Sequence, residues 1–105
     1  MSLNTYPGFT VDASIGTVFG AVSSNILLPG SSVSTDTLVY VVNMGPLPVA
    51  FALGGSTVAA TTNGNLIVMP GQSFFFGRGS ATYIAGIACG PLTGQFATVN
   101  ISTGN

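Results

Sequence analysis

The sequence predicts an all-β fold: one antiparallel β-sandwich or jelly-roll-like domain over residues 14–105, preceded by an extended N-terminal arm over residues 1–13. Three observations lead there. Fifteen glycines and six prolines punctuate the chain, Glu and Lys are absent, and Val, Thr, Ile and Phe fill the intervals between turn residues. β-Branched and aromatic residues suit a pleated, half-buried surface, whereas the missing residues are good helix formers. A length of 105 residues fits one domain with a core of its own.

The elements follow in order. A first strand over 14–22 opens the domain. The next, over 34–43, follows the turn Leu28-Pro29-Gly30, where Pro presets φ and Gly accepts the positive φ of a type II turn. It ends at Gly45-Pro46, and Pro48 at the head of the following run suits the start of a strand over 49–53. Asn63-Gly64 is a hairpin signal between strands over 57–60 and 66–68. Met69-Pro70-Gly71 repeats the Pro-Gly turn ahead of a strand over 73–77. Strands over 82–88 and 95–101 flank Gly90-Pro91. The halves echo one another: Tyr40-Val41-Val42, Gly45-Pro46-Leu47 and Phe51-Ala52 against Tyr83-Ile84-Ala85, Gly90-Pro91-Leu92 and Phe96-Ala97. Two similar hairpins on opposite sheets would give this echo, as would coincidence in a chain rich in Gly and Val.

A disordered tail is normally polar and charged. The segment 1–13 carries Leu3, Tyr6, Phe9 and Val11, which favours an arm docked on something.

The strands carry too much apolar surface for one core. Leu38-Val39-Tyr40-Val41-Val42 does not alternate, and unbroken runs belong to sheets covered on both faces. With Leu38, Tyr40 and Val42 directed into the core, Val39 and Val41 face outward. In Phe74-Phe75-Phe76 at least one ring points away from whichever face is buried, and Leu66-Ile67-Val68-Met69 repeats the pattern. Contiguous apolar patches mark interfaces. The candidate interface residues are therefore Tyr6, Phe9, Val39, Val41, Phe75 and Arg78. The last stands between Gly77 and Gly79, where it reaches a partner's carboxylate or carbonyl, or else pairs internally with Asp12, Asp36 or the terminal carboxylate of Asn105.

Charge carries the functional exclusions. Asp12, Asp36 and Arg78 are the only Asp, Glu, Lys or Arg residues, His is absent, the net charge is −1 and the mean hydropathy is +0.66. About a quarter of an ordinary soluble domain is charged. A nucleic-acid partner is excluded, since phosphate binding needs several cations. A membrane span is excluded by run length, a spanning helix needing roughly 20 apolar residues. The N-terminus lacks the basic and apolar regions of a signal peptide. We expect a chain made in the cytoplasm and kept soluble by assembly, because uncharged β-rich segments aggregate when left exposed.

Catalysis lacks its usual groups. Cys89 is the sole cysteine, has no His to act as its base, and reads as a small buried hydrophobe. Asp12 and Asp36 lie near Ser or Thr in turn-like contexts, Val11-Asp12-Ala13-Ser14 and Ser34-Thr35-Asp36-Thr37, where Asp hydrogen-bonds local backbone. Two aspartates so far apart in sequence are expected to form neither a glycosidase pair nor a calcium cage, and no Cys/His cluster offers a metal site. No cofactor, no metal and no enzymatic activity are expected.

The stretch Val41-Val42-Asn43-Met44-Gly45-Pro46-Leu47-Pro48-Val49-Ala50-Phe51-Ala52-Leu53-Gly54-Gly55 carries a resemblance. Together with Val68-Met69-Pro70-Gly71-Gln72-Ser73, Gly77-Arg78-Gly79 and Ala81-Thr82-Tyr83-Ile84-Ala85, it resembles small structural proteins of tailed bacteriophages over roughly residues 38–102. The resemblance implies a virion component of the capsid decoration (cement) type. Such proteins are β-rich modules that sit on the capsid surface as homo-oligomers, often trimers, across junctions of the major capsid protein. No catalytic residue carries over. The competing expectation is a recognition module in a tail or head fibre that contacts the host surface.

Overall fold

The structure is a computed structural model and describes residues 9–30, 36–62, 66–90 and 96–105. It contains eight strands: β1 (Val11–Gly20), β2 (Ser24–Leu27), β3 (Leu38–Gly45), β4 (Val49–Gly54), β5 (Leu66–Val68), β6 (Ser73–Gly77), β7 (Tyr83–Ala88) and β8 (Phe96–Gly104). They form two four-stranded antiparallel sheets, β1-β8-β3-β6 and β2-β7-β4-β5. Every connection except β4–β5 passes from one sheet to the other. That is the winding of an eight-stranded jelly roll, as the turn-punctuated sequence predicts. The echoed segments fall on opposite sheets, Tyr40 and Phe96 in the first and Phe51 and Tyr83 in the second.

The turn chemistry holds where Pro-Gly was read. Gly71 has φ +80°, and the Gln72 N–H donates to the Met69 carbonyl at 3.0 Å, closing the type II turn. Gly30 also takes a positive φ, +66°. Several elements differ from the expected strands: β3 begins at Leu38 rather than 34, and β8 runs on to Gly104 rather than ending at 101. β1 begins at Val11, three residues ahead of the expected start. β2 was not foreseen, because Ser24-Asn25-Ile26-Leu27 is too short and mixed to carry a period. Residues 57–60 form no strand: the Val58 N–H turns back to the Gly55 carbonyl at 3.0 Å, so this backbone leaves the ladder. Leu66–Val68 pairs instead with Val49–Phe51. Asn63-Gly64 lies outside the described residues.

Paired residues of neighbouring strands share a face, so the register assigns every side chain. On the first sheet, Phe19, Val39, Val41, Phe76, Ala97, Val99 and Ile101 face inward. On the second, Leu53, Phe51, Val49, Val68 and Ile84 meet them. The core is centred on an edge-on contact between Phe19 and Phe51, ring centroids 5.7 Å apart at 87°. Facing Phe19 is Gly86, where a Cβ would stand 2.7 Å from three ring carbons, so the two sheets close to full depth only over a glycine.

One end of the core is closed by a buried amide. Asn43 Nδ2 donates to the Leu47 and Val68 carbonyls, each at 2.8 Å, and Asn43 Oδ1 accepts the Gly45 N–H at 2.8 Å. Its backbone N–H donates to the Gln72 carbonyl and its carbonyl accepts from Gly71. A fully buried polar side chain is tolerated here because each of its groups is used.

Candidate interaction surface

Surface that the strands cannot cover is covered in part by the chain itself. On the second sheet, the segment after β4 crosses the outer face. Asn25 Nδ2 on β2 donates to the Ser56 carbonyl at 3.1 Å and the Val58 carbonyl at 2.9 Å, and the Ala60 N–H donates to Ser23 Oγ at 2.8 Å. Because β7 lies between β2 and β4, this strap passes over it. Ala50 and Ala85 project outward yet are buried. Small side chains at these positions let the strap lie close.

On the first sheet, Phe9 does the covering. It is buried at 2% exposure on the outer face, its ring 5.0 Å from Phe75 and 6.0 Å from Tyr40, while Tyr40 and Phe75 lie 4.4 Å apart. The Thr10 N–H donates to the Asn105 carbonyl at 2.8 Å, anchoring the segment beside β8. Gly104 lies directly beneath, where a side chain would collide with the Thr10 carbonyl. Full burial of the Phe9 ring is worth roughly 1.5–3 kcal/mol, while Tyr40 and Phe75 stay half-buried beneath it.

The candidate interface residues are thus redistributed. Val39 and Val41 are fully buried between the sheets, opposite to the outward assignment. Val39 pairs with Thr103 and Phe76, and Val41 with Ile101, all on the inner face. Leu38, Tyr40 and Val42 take the outer face instead. Phe9 and Phe75 do meet, but Phe9 is spent on its own domain, and of the five described candidates Phe75 alone keeps partial exposure on the outer face. Arg78 is 8% exposed; its Nε donates to the Ala81 carbonyl at 2.9 Å and Nη1 to the backbone carbonyl of Asp36 at 3.2 Å, which keeps it within the fold. Tyr6 lies outside the described residues.

Other apolar side chains stand open. Val18 and Phe96 are diagonal neighbours across the β1–β8 pair on the outer face, each about half exposed. Phe74, on edge strand β6, leans on Phe76 at 5.3 Å but remains half exposed, as do Leu27, Met44 and Met69. Between Val18/Phe96 at one end of the outer face and Tyr40/Phe75 at the other run Thr98, Asn100 and Ser102, polar but uncharged. The face therefore offers two apolar ends and a neutral hydrogen-bonding middle. The alternation in β8, with Phe96 heading the outward set, is the signal that would have found it.

Electrostatically the surface is almost blank. Arg78 and Asp36 are buried and Asp12 is exposed, which leaves one ionisable Asp or Arg side chain in solvent. The three gather at one end of the sandwich: Arg78 holds the Asp36 carbonyl, and the Asp36 carboxyl lies against Asp12. Burial first, and then the facing Asp12, raise the Asp36 carboxyl above the usual carboxylate range, with Thr103 and Arg78 pulling the other way. No helix is long and apolar enough to cross a membrane among the described residues.

No family model matches the chain, and no curated protein matches its sequence. Solved structures match its fold. A de novo designed double-stranded β-helix, determined by solution NMR, superposes with a TM-score of 0.51 at 16% identity, over 88% of this chain and 99% of that one. A chain from the endospore appendages of Bacillus, described as a family of disulfide-linked pili, gives a TM-score of 0.50 at 17% identity, over 98% and 94% of the two chains. The SPBc2 prophage-derived protein YomS gives 0.48 at 10% identity, over 90% and 97%. At these identities the likeness is one of fold: the chain is an all-β sandwich wound as a double-stranded β-helix.

Proposed function

We propose that this chain is a structural subunit of a multi-copy particle, acting through uncharged surface rather than through catalysis. The observation that carries the proposal is the pairing of open apolar side chains with sequestered charge. Val18, Phe96, Phe74, Leu27, Met44 and Met69 are exposed while Asp36 and Arg78 are buried. A surface of this kind is poorly suited to a free monomer and well suited to neighbours.

The particle we propose is a phage head. The chain decorates its capsid as a homo-oligomer, a trimer by the resemblance of residues 38–102 to phage structural proteins, and bridges the major capsid protein. The jelly roll supports this reading, since the fold serves capsid proteins widely. The like-folded endospore appendages, which form pili, add that such a domain suits repetitive assembly. On the virion surface the chain would need no charge to stay dispersed.

Two measurements test it. Sedimentation velocity of the full chain should give a discrete oligomer, and a monomer persisting at high micromolar concentration would overturn the subunit role. Undecorated phage heads should bind the chain saturably in hundreds of copies. Binding to host cells without binding to heads would replace decoration by the fibre-module reading.

A further inference from the structure

The aspartates that the sequence holds 24 positions apart converge on one point beside Gly30. A Cβ built on that glycine would stand 2.9 Å from Asp12 Oδ2, 2.9 Å from Thr103 Oγ1 and 3.0 Å from Asp36 Oδ2. The three oxygens come from β1, from the residue two positions ahead of β3, and from β8. The carbonyl of Pro29, on the turn after β2, joins them by accepting a hydrogen bond from the Thr103 hydroxyl.

The cluster is short of positive charge. The one hydroxyl proton is directed at Pro29. Asp36 is only 5% exposed, and among the described residues its Oδ2 has no hydrogen-bond partner. The Asp12 carboxylate lies against it, and Thr103 and Arg78 offset only part of the cost of burial and of that neighbour. A buried carboxylate oxygen with no donor is costly, and a second carboxylate against it raises the cost. Arg78 meets Asp36 at its backbone carbonyl, on the chain side of the residue. Either a proton or a metal ion must complete such a group, and the donor set favours the metal. Two carboxylates, a hydroxyl and a carbonyl are hard oxygen donors from four separate segments, irregularly placed, with Asp12 exposed at the mouth, where water would complete the coordination. Calcium accepts irregular, oxygen-rich, partly hydrated sites, whereas magnesium demands near-octahedral order.

We propose that Asp12, Asp36, Thr103 and the Pro29 carbonyl form a binding site for a hard divalent cation, calcium above magnesium. The ion would tie the first strand, the last strand and the approaches to β3 at one end of the sandwich. Binding would therefore stabilise the fold by mass action. This inference stands independently of the proposed assembly.

The test uses the full chain, stripped with chelator and then titrated with calcium chloride or magnesium chloride at constant ionic strength. Calorimetric titration should give a saturable heat with calcium. The melting temperature should rise by several degrees at millimolar calcium and by less with magnesium. Asp12→Asn, at the exposed mouth and the safer variant to fold, should abolish both signals, as should Asp36→Asn. A wild-type protein indifferent to calcium would overturn the proposal. So would variants that respond as the wild type does. Should Asp36→Asn raise the melting temperature in chelator while calcium leaves the wild type unmoved, the pair holds a shared proton and the cation site does not exist.

Discussion

Phe19 lies against the bare backbone of Gly86, with 2.7 Å between its ring carbons and the place a Cβ would occupy. The two residues belong to facing sheets, so this contact sets how closely the sheets approach. Gly86→Ala forces the central ring of the core to move, and overpacking of this kind costs about 1–3 kcal/mol. Phe19→Ala removes the ring and leaves a cavity, costing about 3–5 kcal/mol. The double variant should lose less than the sum of the two, because the methyl group enters the space the ring vacates. Urea unfolding of all four proteins measures this; additive losses would show that the contact does not set the sheet spacing.

Asn43 closes the opposite account at the end of the core. Asn43→Leu keeps the volume but leaves the Leu47 and Val68 carbonyls and the Gly45 N–H without their partner. An orphaned buried group costs about 1–3 kcal/mol, so the variant should lose several kcal/mol in denaturant unfolding. Asn43→Asp should be at least as damaging near neutral pH, since it turns a carboxylate toward two carbonyls. A loss under about 1 kcal/mol for either variant would contradict this role.

Asp36 gives the fold a pH dependence whose sign can be stated. Its carboxyl is raised above the usual range by burial and then by Asp12, so the folded chain keeps the proton to higher pH than the unfolded chain does. Stability is therefore greatest on the acid side and falls as pH rises from about 4 through the folded-state value. Melting temperatures in chelator across pH 4 to 7 should decline for the wild type and lie flat for Asp36→Asn. A wild-type profile that rises over this window would contradict the raised carboxyl.

Core and surface valines should separate cleanly. Val41→Ala removes a fully buried side chain and should cost about 2 kcal/mol in unfolding with little direct effect on assembly. Val18→Ser and Phe96→Ser remove half-exposed side chains and should change unfolding by no more than about 0.5 kcal/mol. Both should lower the sedimentation coefficient of the assembled protein. Surface variants that unfold the chain but leave its mass unchanged would remove this face as an interface.

The strap over β7 hangs on one side chain. Asn25→Ala deletes the bonds to Ser56 and Val58, worth about 1 kcal/mol each. Amide exchange at residues 58 and 60 should accelerate, with β4 and β7 little affected. Uniform acceleration across the domain would instead mean that the strap is part of the cooperative core.

The fold class, the Pro-Gly turns and seven of the eight strands were legible because each rests on neighbours in sequence. The phase of β3 was not. Leu38-Val39-Tyr40-Val41-Val42 is apolar on both faces, so the run by itself does not say which set faces the core. Its partner does: β8 places Ala97, Val99 and Ile101 inward and Thr98, Asn100 and Ser102 outward, and pairing transfers that phase to Val39 and Val41. Reading it requires knowing that residues some sixty positions apart lie side by side, which is the information a fold adds to a sequence. The same gap hid the Asp12–Asp36 contact. Each aspartate read locally is a turn residue, and only the winding of β1 past the approach to β3 makes them a pair.

The seat of β8 between β1 and β3 has a consequence for biosynthesis. Of the eight strands the central one of the first sheet is made after the other seven, and until Phe96–Gly104 emerges β1 has no partner in its sheet and β3 has only β6. The growing domain must therefore hold β1 and one edge of β3 unpaired until then, with few charges to keep nascent copies apart. A nonsense codon or a protease cut just before Phe96 would not shorten this domain. It would leave two strips of sheet with nothing to join them.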